Sequence, residues 1–323
     1  MTAAQRTFDL LVVGELNPDI IVMQPGLEPT FGQVELVVDE VRLELGSSSA
    51  IVACGAARLG LRVAFVGVVG DDPFGQFVLD ELVKRGVDTG ACRIEPSVPT
   101  GATVILSRGD DRAILTARGA MDRLTNADVP PGLLAASRHL HVSSIFLQRG
   151  LAAGLEDLFR SARRAGVSTS LDTNWDPSGE WVGLAPVLSE TDLFLPNAAE
   201  LAALTGDSEA GSAARSFARR LAPGGTIAVK CGSAGGLAVN GDELVTFPAL
   251  VVESVDSTGA GDSFDAGMIY GLLNGATLGD ALQFAIACGS LSVRAVGGTR
   301  GQPTRDEAIA GAATLMERRR GSR

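Results

Sequence analysis

The sequence predicts an α/β protein: a doubly wound, mostly parallel central sheet with helices on both faces, plus a small β-sheet lid. Three observations carry that prediction. Short apolar runs alternate with amphipathic helical stretches along most of the 323 residues. The first run, Phe8-Asp-Leu-Leu-Val-Val-Gly14, has the near-continuous apolar character of a central parallel strand. Two stretches, at about 16–45 and 99–120, break the alternation and supply the lid. A single domain over residues 1–323, with the lid inside it, accounts for the pattern.

Phe8 to Val13 is the first strand, with Glu15, Asn17 and Asp19 at its carboxyl end. Residues 20–45 carry Pro and Gly punctuation and then the Val-rich, charge-alternating run Val34 to Leu45, which predicts short strands. Ser47 opens a helix through Ile51, Val52 and Leu59, with Gly60 past its end. Arg62 to Val69 is a strand. Asp72 as N-cap, Pro73 after it, and Phe74, Val78 and Leu82 on one face predict a helix closed by Gly86. Ala102 to Leu106 and Ala113 to Thr116 form a hairpin around Gly109-Asp-Asp-Arg112. Alternation then returns with strands at 140–142, 167–171, 193–195 and 226–230, and helices near 150–165 and from Asn197. Leu250 to Val255 reads as a buried strand, followed by a helix bearing Phe264, Met268, Ile269, Leu272 and Leu273. The tail after Thr304 is helical and ends in the basic Glu317-Arg-Arg-Arg-Gly-Ser-Arg323.

Hydrophobic residues make up 46% and charged residues 20%, as in an ordinary globular protein. A net charge of -11 argues against a nucleic-acid binder, whose affinity rests on basic surface. Cys54, Cys92, Cys231 and Cys288 form no C-x-x-C pair, and only His139 and His141 would join them, so a structural zinc site is not expected. With a polar start no signal peptide is expected, no apolar run is long enough to span a membrane, and a reducing, cytoplasmic setting is expected.

Chemistry concentrates in Asp256-Ser-Thr-Gly-Ala-Gly-Asp-Ser-Phe264. A strand–turn–helix context there gathers backbone N–H groups and the positive end of a helix dipole, which suits a phosphate. Asp262 at its mouth is a poor phosphate ligand but a good general base for an attacking hydroxyl. The competing reading is an Asp N-cap after a flexible turn. The segment is not a Walker A loop, because Lys84 and Lys230 are each preceded by Val. Asn197-Ala-Ala-Glu200 reads as a capping box and equally as a Mg²⁺ site in which Glu200 acts through water. Lys230-Cys-Gly-Ser-Ala-Gly-Gly236 is a Gly-rich turn for nucleotide phosphates or ribose. Asn17, Asp19 and Asp172-Thr-Asn-Trp175 add polar groups at the same strand ends.

Together these segments resemble the ribokinase-like, PfkB-type carbohydrate kinases. Asp256 to Asp262 matches that family's second signature, and Gly46 to Gly60 resembles its first. Gly67-Val-Val-Gly-Asp-Asp-Pro-Phe-Gly75, Asn197 to Glu200 and Lys230 to Ser233 follow in the family's order, within a resemblance from residue 8 to about 305. The resemblance implies ATP-dependent phosphorylation of a sugar alcohol, with Asp262 as base and Gly259, Ala260 and Gly261 as the anion hole. It implies Asn197 and Glu200 around Mg²⁺ and the ATP phosphates, Lys230, Gly232, Ser233, Gly235 and Thr258 toward the nucleotide, and Ser292 opening the loop that closes the adenine side. Asn17, Asp19, Gly46, Ser47, Ser48 and Ser49 would hold the sugar under the lid. Many relatives bind a monovalent cation near positions matching Asp256 and Thr258, which makes K⁺ a candidate there.

The departures bear on the substrate. Many sugar kinases of the family have Gly-Gly and a later Asn where this chain has Gly46-Ser47 and Ile51, so one of the three serines would take over a sugar contact. Ketodeoxygluconate kinases usually carry an Arg soon after the Asp-x-Asn segment; Trp175 and Asp176 stand here, which argues against an acid sugar and leaves Arg118 as the residue for an anionic one. A nucleoside kinase would need a base-stacking surface, for which Phe31, Phe65 and Phe146 are the candidates. A non-catalytic sensor of the same fold would have lost Asp262 or its Gly turn, and a dinucleotide oxidoreductase would need G-x-G-x-x-G spacing that Gly67 to Gly75 lacks. An exposed lid sheet makes a homodimer through the lid an expectation.

Overall fold

The computed structural model describes residues 6–108 and 111–321. Residues 1–5, Gly109 and Asp110 of the expected hairpin turn, and residues 322–323 of the basic tail lie outside the described residues. The strands are β1 (Phe8–Val13), β2 (Pro18–Met23), β3 (Glu40–Leu45), β4 (Val63–Val66), β5 (Val68–Gly70), β6 (Val87–Asp88), β7 (Arg93–Glu95), β8 (Ala102–Arg108), β9 (Asp111–Ala117), β10 (Ser137–Ser143), β11 (Ser168–Asp172), β12 (Leu193–Phe194), β13 (Thr226–Lys230), β14 (Gly236–Asn240) and β15 (Glu243–Phe247). Among the described residues, a nine-stranded sheet runs β15-β14-β13-β12-β11-β10-β1-β4-β6, and the lid is a four-stranded sheet ordered β3-β2-β8-β9.

Every neighbouring pair from β13 to β6 is parallel, while β14 and β15 close one edge antiparallel. Two apolar layers cover the sheet. One packs the helices Ser48–Arg58, Ala260–Leu273 and Leu278–Ser292 against Leu10, Val12, Phe65 and Ala228. The other packs Leu155–Arg164 and Ala210–Ala218 against Leu11, Leu140, Leu171 and Val229. Strands buried on both faces are apolar at consecutive positions, which is why Leu10 to Val13 of β1 read as one unbroken run.

Three expectations need correction. Leu250–Val255 forms no strand: Val251 and Val255 are exposed, and the segment hangs from the end of a helix, with the amides of Val255 and Asp256 donating to Val293 O at 2.8 and 3.1 Å. The sheet edge beside β13 is taken by the β14–β15 hairpin, for which the Asn240-Gly241 turn is the sequence signal. The strand at 62–69 is interrupted at Gly67, where a Cβ would lie 2.7 Å from the Leu16 side chain. Of the Val34 to Leu45 run only Glu40–Leu45 is strand, and Val34, Leu36 and Val37 are exposed.

Candidate active site

The carboxyl ends of β1, β10, β11, β12 and β13 share one edge because these neighbours are all parallel. The helix Ala260–Leu273 begins over that edge, with Gly259 as its N-cap at φ 75°. Glycine holds this left-handed conformation without a Cβ penalty, and a Cβ there would lie 2.6 Å from the Gly298 backbone. The cap is thus the glycine and not Asp262, whose carboxylate stays available. First-turn N–H groups have no intrahelical partner, so the turn at Gly259, Ala260 and Gly261 offers donors and a positive helix end to an anion.

Asp262 is 8% exposed, and its Oδ1 accepts a hydrogen bond from the Ser48 hydroxyl. Burial pushes its carboxyl up to about 7; the Ser48 bond and the Lys230 ammonium pull downward, while Asp172 and Glu15 push further up. That value suits a base working near neutral pH.

The three serines are not equivalent. Ser47 caps the helix Ser48–Arg58: its hydroxyl donates to Glu15 O at 2.6 Å and accepts from the Ala50 amide at 2.9 Å. The Ser49 hydroxyl and amide donate to the buried Glu15 carboxylate at 2.5 and 3.2 Å. Ser48 alone of the three turns to Asp262.

Beside it, Asn17 Nδ2 donates to Asp19 Oδ1 and Thr103 Oγ1, each at 3.2 Å. Burial pushes Asp19 up to about 7, against the pull of Arg112. A Cβ on Gly46 would lie 2.1 Å from Asp19 Oδ1, so this glycine lets β3 run directly past the polar pair. Arg118 does not join this group: its guanidinium pairs with Asp122 at 3.4 Å, one helical turn on. The cation that reaches across is Arg112 of β9, whose guanidinium donates to Thr258 Oγ1 at 3.0 Å. Thr258 donates to Asp256 Oδ1 at 2.7 Å, and Asp256 Oδ2 accepts from the Gly297 amide at 2.9 Å, so Asp256 joins two loops.

On the other side of the Gly turn lies a cavity of about 350 Å³ lined by Lys230, Gly232, Ser233, Gly235, Ala260 and Gly261 among others. Ser292 is not part of that wall; it is buried and its hydroxyl donates to Gly289 O at 2.9 Å within its own helix, where Gly301 packs against its carbonyl. Its neighbours Ser290 and Val293 line the cavity instead. Asn197 and Glu200 form the expected capping box, with Glu200 Oε2 and Oε1 accepting from Asn197 N and Nδ2 at 2.8 and 2.6 Å. Burial pushes Glu200 up to about 7, with Asp172 adding to it and Lys230 opposing.

Lys230 runs beneath Gly261 and bonds Asp172 Oδ2 at 2.7 Å and Asp265 Oδ2 at 3.2 Å. Burial alone would lower its affinity for a proton; the carboxyl groups around it, Asp172 foremost, reverse that and hold it charged. Carboxylate oxygens of Asp172, Asp262 and Asp265 lie within 4.8 Å of one another, close enough to hold a cation, and the ammonium already serves two of them. Sequence reasoning singles out neither Asp265 nor Arg112. A charged residue three positions after Asp262, inside an otherwise apolar helical run, is the available signal for Asp265.

The profile described as pfkB family carbohydrate kinase matches residues 7–305. The chain is 33% identical over 279 residues to 2-dehydro-3-deoxygluconokinase of Bacillus subtilis, covering 81% of this chain and 85% of that one. It is 34% identical over 282 residues to fructokinase of Klebsiella pneumoniae, covering 81% and 90%. Among solved structures, an E. coli chain described as a ribokinase II, in complex with ATP and Mg²⁺, superposes with a TM-score of 0.85 at 24% identity over 95% of this chain and 99% of that one.

Proposed function

The chain belongs to the pfkB family of carbohydrate kinases and is an ATP-dependent sugar kinase, and we propose that Asp262 is the base that takes the proton of the sugar hydroxyl. The observation that carries this is the position of its carboxyl, buried, raised to about 7 and one turn into the helix whose start forms the Gly259–Gly261 anion hole. The hydroxyl attacks the γ-phosphoryl group in line, Asp262 accepts the proton, the bond to the β–γ bridging oxygen breaks to release ADP, and the N–H groups of the turn receive the growing charge. Ser48 is the sugar-side residue that takes the place of the missing family contact, since Ser47 and Ser49 have committed their hydroxyls to Glu15. Asn17 and Asp19 hold the sugar; Lys230, Gly232, Ser233 and Gly235 border the nucleotide, with Thr258 at the hinge of the turn.

Glu200 fits Mg²⁺ held through water: a carboxyl that burial raises to about 7, with the Asp172 charge adding to it, gains a compensating charge when Mg²⁺ binds. Mg²⁺ would neutralise charge on the ATP phosphates, and Asn197 would orient Glu200. Asp256 fits K⁺, because its hydrogen bonds to Gly297 and Thr258 hold it below the usual carboxylate range, against the effect of burial, and anionic between two loops. The lid is the homodimer surface: register places Leu43, Ile20, Val104 and Leu115 in one row across its outer face, and Leu43 and Leu115 are exposed.

A free sugar or sugar derivative is the substrate class. A nucleoside is disfavoured by where its stacking candidates lie: Phe65 is fully buried in the core, Phe31 is 99% exposed, and Phe146 packs edge-on against Trp181. Asp262→Asn should keep ATP binding and lose most turnover, read as ADP production across a panel of sugars and nucleosides with and without K⁺. Near-normal turnover in the purified variant sinks the assignment; ATP binding without ADP from any acceptor favours a sensor.

A further inference from the structure

Three carboxyl groups, Asp172, Asp262 and Asp265, crowd one ammonium, Lys230, in a region with almost no solvent. Asp172 is 1% and Asp265 0% exposed. Lys230 favours Asp172, at 2.7 Å, over Asp265, at 3.2 Å. The second oxygen of Asp265, Oδ1, is buried and has no hydrogen-bond partner among the described residues. Three negative charges against one positive charge in such a place would be strongly unfavourable, and an ionised carboxylate with an empty acceptor would be the costliest member.

We propose that Asp265 is a positioning residue that carries a proton in the working enzyme, donates it to Asp172, and so keeps Lys230 beneath Gly261 without adding a second negative charge beside Asp262. The proposal rests on Asp262 as base. The proton balances the cluster: Asp172 is anionic, Lys230 cationic, Asp265 neutral, and Asp262 remains the single carboxyl free to exchange its proton with a substrate hydroxyl. Burial and the Asp172 charge both drive the Asp265 carboxyl toward the protonated form, against the pull of Lys230. Other titratable groups face this cluster: His141 of β10 stands near Asp172, Glu200 faces Lys230 from the helix Ala198–Thr205, and Glu15 after β1 acts on Asp262. His141 is buried and neutral, held down to about 4.

The test compares Asp265→Asn and Asp265→Val with the intact enzyme, reading kcat/KM against pH and, separately, the ¹³C resonance of the Asp265 carboxyl from about pH 6 to about pH 9. Asparagine keeps a donor without charge, so Asp265→Asn should match the intact enzyme within about twofold and leave the acidic limb in place. Asp265→Val should lose about tenfold or more in kcat and move the acidic limb to higher pH, because Asp172 loses a donor. The resonance should stay at its protonated position throughout. A carboxylate resonance near neutral pH, an acidic limb moved down by about one pH unit or more in Asp265→Asn, or an unaffected Asp265→Val each overturns the proposal. Should Asp265→Val fail to fold, the resonance and the asparagine variant still decide. The resonance does not depend on turnover, so loss of the base assignment through Asp262→Asn would be seen apart from it.

Discussion

Replacing Ser48 by Ala tests how the free enzyme sets the basicity of Asp262. The Ser48 hydroxyl donates to Asp262 Oδ1, which stabilises the charged form and holds down a carboxyl that burial has raised to about 7. A hydrogen bond to a charged group contributes about 1.5–3 kcal/mol, and about 1.4 kcal/mol corresponds to one pH unit, so its loss moves the half-point of the acidic limb up by about one to two units. The base then reaches its active form between about pH 8 and about pH 9, and kcat/KM at pH 7 falls by roughly five- to fiftyfold. The assay is ADP release under limiting sugar, followed across the pH range for the intact enzyme, Ser48→Ala and Ser48→Thr. Threonine keeps the hydroxyl and should keep the limb. An unmoved limb in Ser48→Ala, or one displaced to lower pH, refutes the link between this bond and the base.

Two further outcomes follow from the same geometry. Gly259→Ala places a Cβ 2.6 Å from the Gly298 backbone at a residue with φ 75°, which should cost about 2–4 kcal/mol in urea unfolding and most of the turnover; a stable, active variant would show that the turn is not held as described. His139 is buried between Ser168 and Ser170 hydroxyls and held down to about 3 from an ordinary 6.5. Its neutral form is the folded one, so the stability it contributes is full above pH 6.5 and declines as pH falls toward 3, by up to about 1.4 kcal/mol per unit. Asp19, Asp262 and Glu200, raised to about 7, act in the opposite sense over part of that range, but they are common to both proteins in a comparison. His139→Gln should therefore lose less stability than the intact chain between pH 6.5 and 4; identical slopes would place His139 outside the acid response.

Much of the fold and the core of the site are legible in the chain. Alternating apolar runs mark the doubly wound sheet, because strands covered on both faces must be apolar throughout, and Gly259-Ala-Gly-Asp262 marks the glycine-capped helix start proposed as the anion site, because backbone donors need only a local turn. The capping box at Asn197 and the N-cap at Ser47 are equally local and are present. The misreadings are of a different kind. Leu250–Val255 has the composition of a strand, and composition cannot tell whether a sheet edge is vacant. Arg112 carries no local signal, and only the folded path of β9 beside β8 brings it to Thr258.

Fold and family follow from the chain alone, and so does the placing of Asp262 just after a glycine turn, since each rests on residues adjacent in it or on a period along it. Only the folded arrangement settles which of three consecutive serines faces the base and that Asp172, Lys230 and Asp265 form one buried cluster. Those contacts join residues 58 and 35 positions apart, and 214 for Ser48 and Asp262. Hydrogen bonds and charge interactions depend on distance in space, and no pattern along the chain encodes that distance.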